Sequence, residues 1–464
     1  MAFGILEDEH LDSVPGTSLL SDYRHQTKIG HAASLKRGIG NQSYIILVPQ
    51  PTDDPNEPLN WPKWKKEACF WTLSFATTLC GALSPLVGAG YVLLSMQFHV
   101  SVDEVASSFG ALLLGLGCFM IVQNVLAVKF GHRIVYLGSV FLMFISCVWC
   151  ALSPSLASIR ASRVFQGFGM SSLQCLVPAT IEQIYFVHER GSRSVIWNFC
   201  LMAGITLGPL LYSYVIKNMS WQMGFWFITI PLGLAGLLVF FFVPETSYAS
   251  HENHMLRPST HSQKNSLEDV GSPVGASSQS DEAPCPPIKS YASQLKIWNG
   301  TFNDADITTL FFRPFPLLLS PITWFIFVSY CMQTVWLSLM PICSSTIFTI
   351  EYNFNATQIG LTNLGGIVGI VLATFISGPL TDWGTVWMSK HNKGVYEPEF
   401  RIVFMSTMLF GVFGYAGWAV INSTFRSWYN AKHALDRSSR LYSYGQLQHG
   451  SIGISSSDVP LGHT

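Results

Sequence analysis

The chain has 464 residues, of which 49% are hydrophobic and only 11% charged, with a formal net charge of −1 and a mean hydropathy of +0.33. A soluble domain carries about 25% charged residues, so these values exclude an ordinary soluble domain and indicate a multi-spanning membrane protein. A net charge near zero gives no support for a nucleic-acid partner or an acidic one, and the information lies in where the charges sit.

In chain order, residues 1–66 are polar and contain no secretory signal, since "YIILV" (44–48) is too short for a signal core. They are expected to form a cytoplasmic tail. A transmembrane helix needs about 20 mostly apolar residues. Nine segments qualify: 68–94, 105–128, 134–153, 156–186, 195–216, 222–243, 315–345, 357–380 and 402–421. The predicted fold is all-α and polytopic, with a six-helix bundle over 67–244 and a partial bundle of three spans over 313–421. Between them, 245–312 is rich in Ser, Pro, Asp and His and is predicted to be a disordered cytoplasmic linker. Its last part, "SYASQLKIWNG", is predicted to lie on the membrane surface as a short amphipathic helix. A polar tail covers 422–464 and has no apolar run near span length.

Lys and Arg accumulate on the cytoplasmic side of membrane proteins. With the N-terminus inside, the inner segments hold Lys63, Lys65, Lys66, Lys129, Arg133, Arg190, Arg193, Lys390, Lys393 and Arg401, and four further basic residues in the linker. The outer loops hold only Lys217. The tail breaks the pattern, because after nine spans Arg426, Lys432, Arg437 and Arg440 would lie outside. Two glycosylation acceptors, Asn218 and Asn355, fall on very short outer loops, so little modification is expected.

There are 10 cysteines with no pairing pattern. Cys147 and Cys150 have C-x-x-C spacing without a second pair, and Cys69, Cys80, Cys118, Cys175 and Cys200 also fall in spans, so buried free thiols are expected and no metal site. Gly and Pro are dense in the stretches "GALSPLVGAG" (81–90), "GITLGP" (204–209) and "GGIVG" (365–369). Small residues let helices approach closely, and Pro or Gly breaks a helix where it lines a cavity. "NVLAVKFGHR" (124–133) and "GPLTDWGTVW" (378–387) end the second span of each half as short, partly polar turns, a weak internal repeat of the kind transporters show.

"DPNEPLNWPKWKK" (54–66), "RVFQGFG" (163–169), "HERGSRS" (188–194), "GITLGP", "FVPETSY" (242–248) and "YEPEFRI" (396–402), in this order and spacing, resemble the major facilitator superfamily, and within it the fungal drug:proton antiporters of the twelve-span type. The resemblance covers about 56–421. It implies a secondary transporter of small organic molecules in the plasma membrane, an exporter, with protons as the candidate coupling ion and no cofactor. Arg163, Gln166, Gly167 and Gly169 match the fourth-span motif, and Gly204, Gly208 and Pro209 match the antiporter motif of the fifth span. Lys129, Gly131 and Arg133, with Gly378, Leu380 and Asp382 in the second half, match the gating-loop motifs. Three departures stand out. Asn124 and Val128 replace the usual Gly and Asp, which weakens the first-half latch; Tyr212 and Ser213 replace two glycines after "GITLGP"; and three spans are absent. The second half is therefore expected to be incomplete, with little activity for the chain alone, and a non-transporting membrane protein that binds or regulates stands as the alternative. No H-E-x-x-H, no nucleophile elbow with triad partners and no phosphate-binding glycine loop supports an enzyme.

Arg163 lies seven residues into the fourth span, so roughly 10 Å deep at a rise of about 1.5 Å per residue. Burying it near a bilayer centre costs roughly 2.5–3.5 kcal/mol on insertion scales. It is expected to face the bundle interior and to steady a carboxylate, or else to snorkel toward the outer headgroups beside Arg160. Partners are scarce. Glu182, about five turns away, is expected to join a network with Glu189, Arg190 and Arg193, and Asp382 to latch the second half. Polar and aromatic residues within spans mark a substrate path: Gln174, Asn198 and Asn363, with Tyr330, Gln333 and Trp336 close to one helix face. So few charges suit an uncharged or hydrophobic organic substrate.

Overall fold

The computed structural model describes residues 54–247 and 290–391 apart from 304, 351 and 353, together with residue 51, the pairs 18–19 and 395–396, and scattered positions between 403 and 424. The chain divides into two compact units. One comprises residues 26–379 and holds the helical bundle. The other comprises 1–25 with 380–464, and its described parts include a two-residue strand β1 (Ser18–Leu19) paired antiparallel with β2 (Val395–Tyr396). The predicted ninth span and the tail fall largely outside the described residues.

The first span is broken. Helix α1 (Lys63–Leu83) stops before Pro85, passes through a 3-10 turn at Leu86–Gly90 and resumes as α2 (Tyr91–Phe98). Proline lacks an N–H and clashes with the preceding turn, which favours a break here, although α5, α6 and α7 continue through Pro178, Pro209 and Pro231. His99 then ends α2 at a positive φ of 54°, its amide bonded to the Ser95 carbonyl. Ser101 caps α3 (Val102–Phe130) by accepting from the Glu104 amide at 3.2 Å, and Asp103 and Glu104 complement the helix dipole.

A single residue joins α3 to α4 (His132–Leu152): Gly131, at φ +96°, a region that L side chains rarely adopt. Helices α5 (Leu156–Ile184), α6 (Val187–Asn218) and α7 (Trp221–Phe242) complete the first bundle. After the linker come α8 (Tyr291–Gln294), α9 (Ile307–Phe312), α10 (Pro321–Ile350) and α11 (Ala356–His391).

Six helices among the described residues are long and apolar enough to cross a bilayer: Lys63–Gly88, Val102–Phe130, His132–Leu152, Glu189–Asn218, Trp221–Phe242 and Ala356–Ile376. A seventh candidate runs from α9 into α10 across a 91° bend. Helix α5 is not among the six, because Ser, Gln, Thr and two arginines dilute its apolar residues. It is instead wrapped by neighbours, with Arg163, Gln166, Ser171, Ser172 and Thr180 all buried. A polar helix in a bilayer is stable when protein, not lipid, surrounds it. Several of its polar groups are bonded to neighbouring helices, although among the described residues the Ser172 hydroxyl and the Gln166 side-chain carbonyl are not. Gln123 of α3 donates to Ser139 of α4 at 2.9 Å and accepts from Ser171, and Tyr136 shares a 2.8 Å bond with Thr180.

Glycines let the backbones touch. On the α3–α5 seam, a Cβ on Gly115 would strike the Val164 carbonyl, and one on Gly167 would meet the Leu112 carbonyl. On the α1–α6 seam, a Cβ on Gly81, Gly204 or Gly208 would strike the carbonyl of Leu201, Thr78 or Ala82 respectively. Without water to drive association, such close van der Waals packing is what holds membrane helices together.

Several predicted boundaries differ. The amphipathic helix in "SYASQLKIWNG" is limited to the four residues of α8. The seventh span begins at Pro321, not 315, because Pro314 and Pro316 leave only a 3-10 turn before it. Helix α11 does not end in a turn at Gly378–Trp387 but continues to His391, so Gly378 and Asp382 sit on a helix and not in a loop. In apolar surroundings the backbone bonds of a continued helix outweigh one Gly and one Pro. Residues 245–247, assigned to the linker, fold onto the first bundle. Segment 248–289 lies outside the described residues.

Candidate functional site

Arg163 is 2% exposed and points into the bundle. Its Nη1 donates to the Leu83 carbonyl at 2.9 Å, and the guanidinium lies 5.0 Å from the centre of the Phe225 ring on α7. Leu83 is the last residue of α1, so its carbonyl lacks the Val87 amide that a continued helix would offer it. A cation at a helix C-terminus both fills that vacancy and complements the dipole. The expected carboxylate partner is thus replaced by a backbone carbonyl and an aromatic face. The arginine that reaches outward is Arg160, whose Nη2 donates to the Glu104 carbonyl at 2.9 Å. Gln166, one turn on, donates to the Ser146 carbonyl of α4 at 3.3 Å.

The end of the bundle that carries the Lys and Arg excess, termed the basic end, is cross-tied. Glu245, just past α7, accepts from the amides of His132 at 2.9 Å and Arg133 at 3.2 Å. It caps α4. A Cβ at Gly131 would collide with its carboxylate. Arg133 is fully buried and donates to the carbonyls of Val243, Phe240 at 2.7 Å and Leu295 at 3.1 Å. The acid that bonds the start of α4 thus comes from "FVPETSY" and not from the loop itself. Lys129 holds the chain after the linker, through Nζ to the Ala305 carbonyl at 3.2 Å and its own carbonyl to the Phe302 amide at 2.9 Å. Replacing Glu245 with Ala removes the α4 cap, a loss of about 1 kcal/mol and up to about 2. The thermal midpoint of the purified protein is expected to fall by several degrees, and an unchanged midpoint would dismiss the cap.

Glu182 does not pair with Arg190 and Arg193. Its side chain is exposed, and Arg190 instead bonds two backbone carbonyls at the end of α5, those of Tyr185 at 3.0 Å and Glu182 at 2.6 Å. Basic side chains near a helix C-terminus can bond its last carbonyls, which have no helical partner. Arg193 pairs with Glu67 of α1, at 2.6 Å between Nη2 and Oε1 and 2.9 Å from Nη1 to Oε2. The Tyr185 hydroxyl donates to Glu67 at 3.5 Å; burial first, and then this carboxylate, push the phenol above its ordinary range and keep it a donor. Neither Glu67 nor Glu245 was marked from the sequence.

Of the substrate-path residues, Gln174 is half-buried and contacts Cys80 at 3.9 Å, Asn198 is exposed on α6, and Tyr330 is 69% exposed on α10. Gln333 and Trp336 are on α10, and their side chains, like those of Gly378 and Asp382 on α11, lie outside the described residues. Asn363 turns back to the Gly360 carbonyl at 3.2 Å. Cys147 and Cys150 are buried free thiols as expected, whereas Cys118 is exposed and Cys175 and Cys200 are half-buried.

At the opposite end, α11 meets α6. Ile359 is buried, a Cβ at Gly360 would strike the Ser213 side chain, and one at Gly366 would come within 3.0 Å of Thr206. Helix α10 touches α2 and the 3-10 turn at Leu86–Gly90 on the same side. Further along α11, a Cβ at Gly369 would meet nothing within 4 Å, and Phe375 is 76% exposed.

A bundle of helices long and apolar enough to cross a bilayer, with buried arginines and glycine seams, suits a membrane transporter. The sequence model of the Major Facilitator Superfamily matches residues 71–434, and the chain belongs to that family. It is 25% identical over 476 residues to Protein HOL1 of Saccharomyces cerevisiae, covering 90% of this chain and 80% of that one. It is 28% identical over 205 residues to Multidrug transporter TPO3 of Candida glabrata, covering 44% of this chain and 32% of that one. Among solved structures, the xylose transporter XylE from E. coli in a partially occluded inward open conformation matches with 18% identity and a TM-score of 0.36, over 39% of this chain and 50% of that one.

Proposed function

We propose that the protein exports small, uncharged or hydrophobic organic molecules across the plasma membrane in exchange for protons, with its basic end and linker in the cytoplasm. The observation that carries this reading is the buried Arg163 of a membrane-spanning bundle, which bonds the terminal carbonyl of α1 and so bears on the movement of α5 against α1. With Lys and Arg inside, the basic end faces the cytoplasm. In this reading Gln174, Asn198, Tyr330, Gln333, Trp336 and Asn363 line the path, and Arg163, Gln166, Gly167, Gly204, Gly208 and Pro209 govern the movement of α5 and α6 against α1. Lys129, Gly131, Arg133, Gly378 and Asp382 set the inner gate. Relatives named as a multidrug transporter and as an MFS antiporter support export and exchange.

The test uses inside-out vesicles with an imposed pH gradient and a panel of lipophilic fluorescent dyes. Dye should accumulate only when the lumen is acidic and should leak back when a protonophore collapses the gradient. Accumulation that ignores the gradient would remove proton exchange, and none with any dye would remove export of this class.

A further inference from the structure

At the basic end a cavity of about 740 Å³ lies between the start of α1, the end of α7 and the chain that follows the linker. Cavities of about 300–1,000 Å³ are the size that holds a small organic ligand. The three walls are fixed to one another. The Tyr291 hydroxyl donates to the Phe241 carbonyl at 2.9 Å, which ties the chain after the linker to α7. Lys65 Nζ donates to Gln294 Oε1 at 2.7 Å, which ties it to α1. Arg133, fully buried, bonds the carbonyls of Phe240 on α7 and Leu295 after the linker.

The lining is aromatic and positive. Trp61, Trp64, Phe241 and Tyr291 supply rings, and Lys65 and Arg133 supply charge. One carboxylate, Glu245, also reaches the cavity, but it is spent on the amides of His132, Arg133 and Ser247. Carbonyls satisfy the Nη atoms of Arg133 without cancelling its charge, and its Nε is buried with no hydrogen-bond partner among the described residues. Lys65 is the adaptable donor. Its ammonium has three N–H bonds, one goes to Gln294, and the Trp61 ring holds it at 3.8 Å from the ring centre. Such walls complement an amphiphile with an anionic head.

The position narrows the class. Helix α1 begins at Lys63 and α7 stops at Phe242, and both are long and apolar enough to span a bilayer. The cavity therefore lies where hydrocarbon gives way to headgroups, the level at which Trp and Tyr concentrate. Trp64 and Tyr291 are 67% and 57% exposed, so acyl chains can lie against them. Anionic lipids belong to the cytoplasmic leaflet, and basic pockets on that side of a bundle suit their headgroups.

We propose that this cavity binds one anionic phospholipid of the cytoplasmic leaflet, with its phosphate on Lys65 in the field of Arg133 and its upper acyl chains on Trp64, Phe241 and Tyr291. The bound lipid braces α1, α7 and the chain after the linker against one another. Only the sidedness rests on the reading above. The test uses neither cargo nor a proton gradient, so the lipid site and the export reading fail separately.

The purified full chain in a neutral detergent is titrated with phosphatidylserine or phosphatidylcholine of the same short acyl chains, and the thermal midpoint is followed, since a ligand of the folded state raises it. Phosphatidylserine should raise the midpoint by several degrees and saturate as a single site. Phosphatidylcholine and chain-free glycerol phosphate should each bind at least about tenfold more weakly, the worth of one charge-assisted contact or of the chain contacts. Lys65→Gln should weaken phosphatidylserine about tenfold. Lys63→Gln, an exposed lysine of the same turn outside the cavity, should leave it unchanged. Trp64→Ala removes an exposed ring without disturbing the packed helices, and should also weaken the lipid, which keeps the test decisive if Lys65→Gln folds poorly. Equal shifts from the two lipids, or equal losses in Lys63→Gln and Lys65→Gln, would mean diffuse attraction and overturn the proposal. Glycerol phosphate as strong as the lipid would overturn it in favour of a free anion. Displacement of the lipid by a neutral lipophilic dye at lower concentration would overturn it in favour of an entry chamber for cargo.

Discussion

Arg163→Ala is expected to lower substrate efflux by about a hundredfold, the change a bias of about 1–3 kcal/mol on a two-state transition can give, while leaving the protein in the membrane. The side chain links three helices: it sits on α5, bonds the terminal carbonyl of α1 and stacks on Phe225 of α7. Without it the Leu83 carbonyl is left unpaired in a dry interior, at a cost of about 1–3 kcal/mol. That cost falls on the break between α1 and α2, where the first span must flex if the bundle is to rock. Folding suffers less, because α5 is also gripped by α3 and α4 through Gly115, Gly167 and Gly169. Arg163→Lys should recover only part of the flux. A compact ammonium on a flexible stem cannot both reach the carbonyl and lie flat on the ring. The check is dye efflux at matched membrane levels, and wild-type flux in the Ala variant would take Arg163 out of the mechanism.

The spans were legible because about 20 consecutive apolar residues are a demand of the bilayer itself. The break in α1 was only half legible. Pro85 was visible, but hydropathy reads through a proline as readily as through a leucine. The role of Arg163 could be framed from its burial, since a charge inside a span must be satisfied by something. Its partner could not, because a backbone carbonyl 80 residues away leaves no mark in the sequence. Glu67 was missed for a related reason. It sits one residue before the first apolar segment and 126 residues from Arg193, so counting acids within spans skipped it. Glu245 was quoted in a motif yet assigned to the linker, since the polar composition after Pro244 outweighed the chance that one acid would fold back onto α4. A single signal could have found both: an unexplained acid at a span end when several arginines at the same end still need partners.

Gly204→Val should be the most damaging single change on the α1–α6 seam. A Cβ at this position would collide with the Thr78 carbonyl and lie 3.0 Å from the Ala82 amide nitrogen, both backbone atoms that cannot rotate away. The helices would have to part, breaking contacts along the seam where Gly81 and Gly208 also sit. Overpacking of this kind costs about 1–3 kcal/mol or more, and Gly204→Ala should already lower the thermal midpoint and the flux together. The matched control is Gly110→Ala on α3, where an added Cβ meets nothing within 4 Å. There the gain in helix propensity, up to about 1 kcal/mol, should leave the midpoint unchanged or slightly raised. The two substitutions have the same chemistry and opposite expected signs, so the comparison isolates helix approach from propensity. Equal midpoints for Gly204→Ala and Gly110→Ala would mean that α1 and α6 do not rely on backbone contact. Loss of flux in Gly204→Ala with the midpoint intact would show that the seam serves movement more than assembly, because a joint that only holds the bundle together must weaken it when wedged apart.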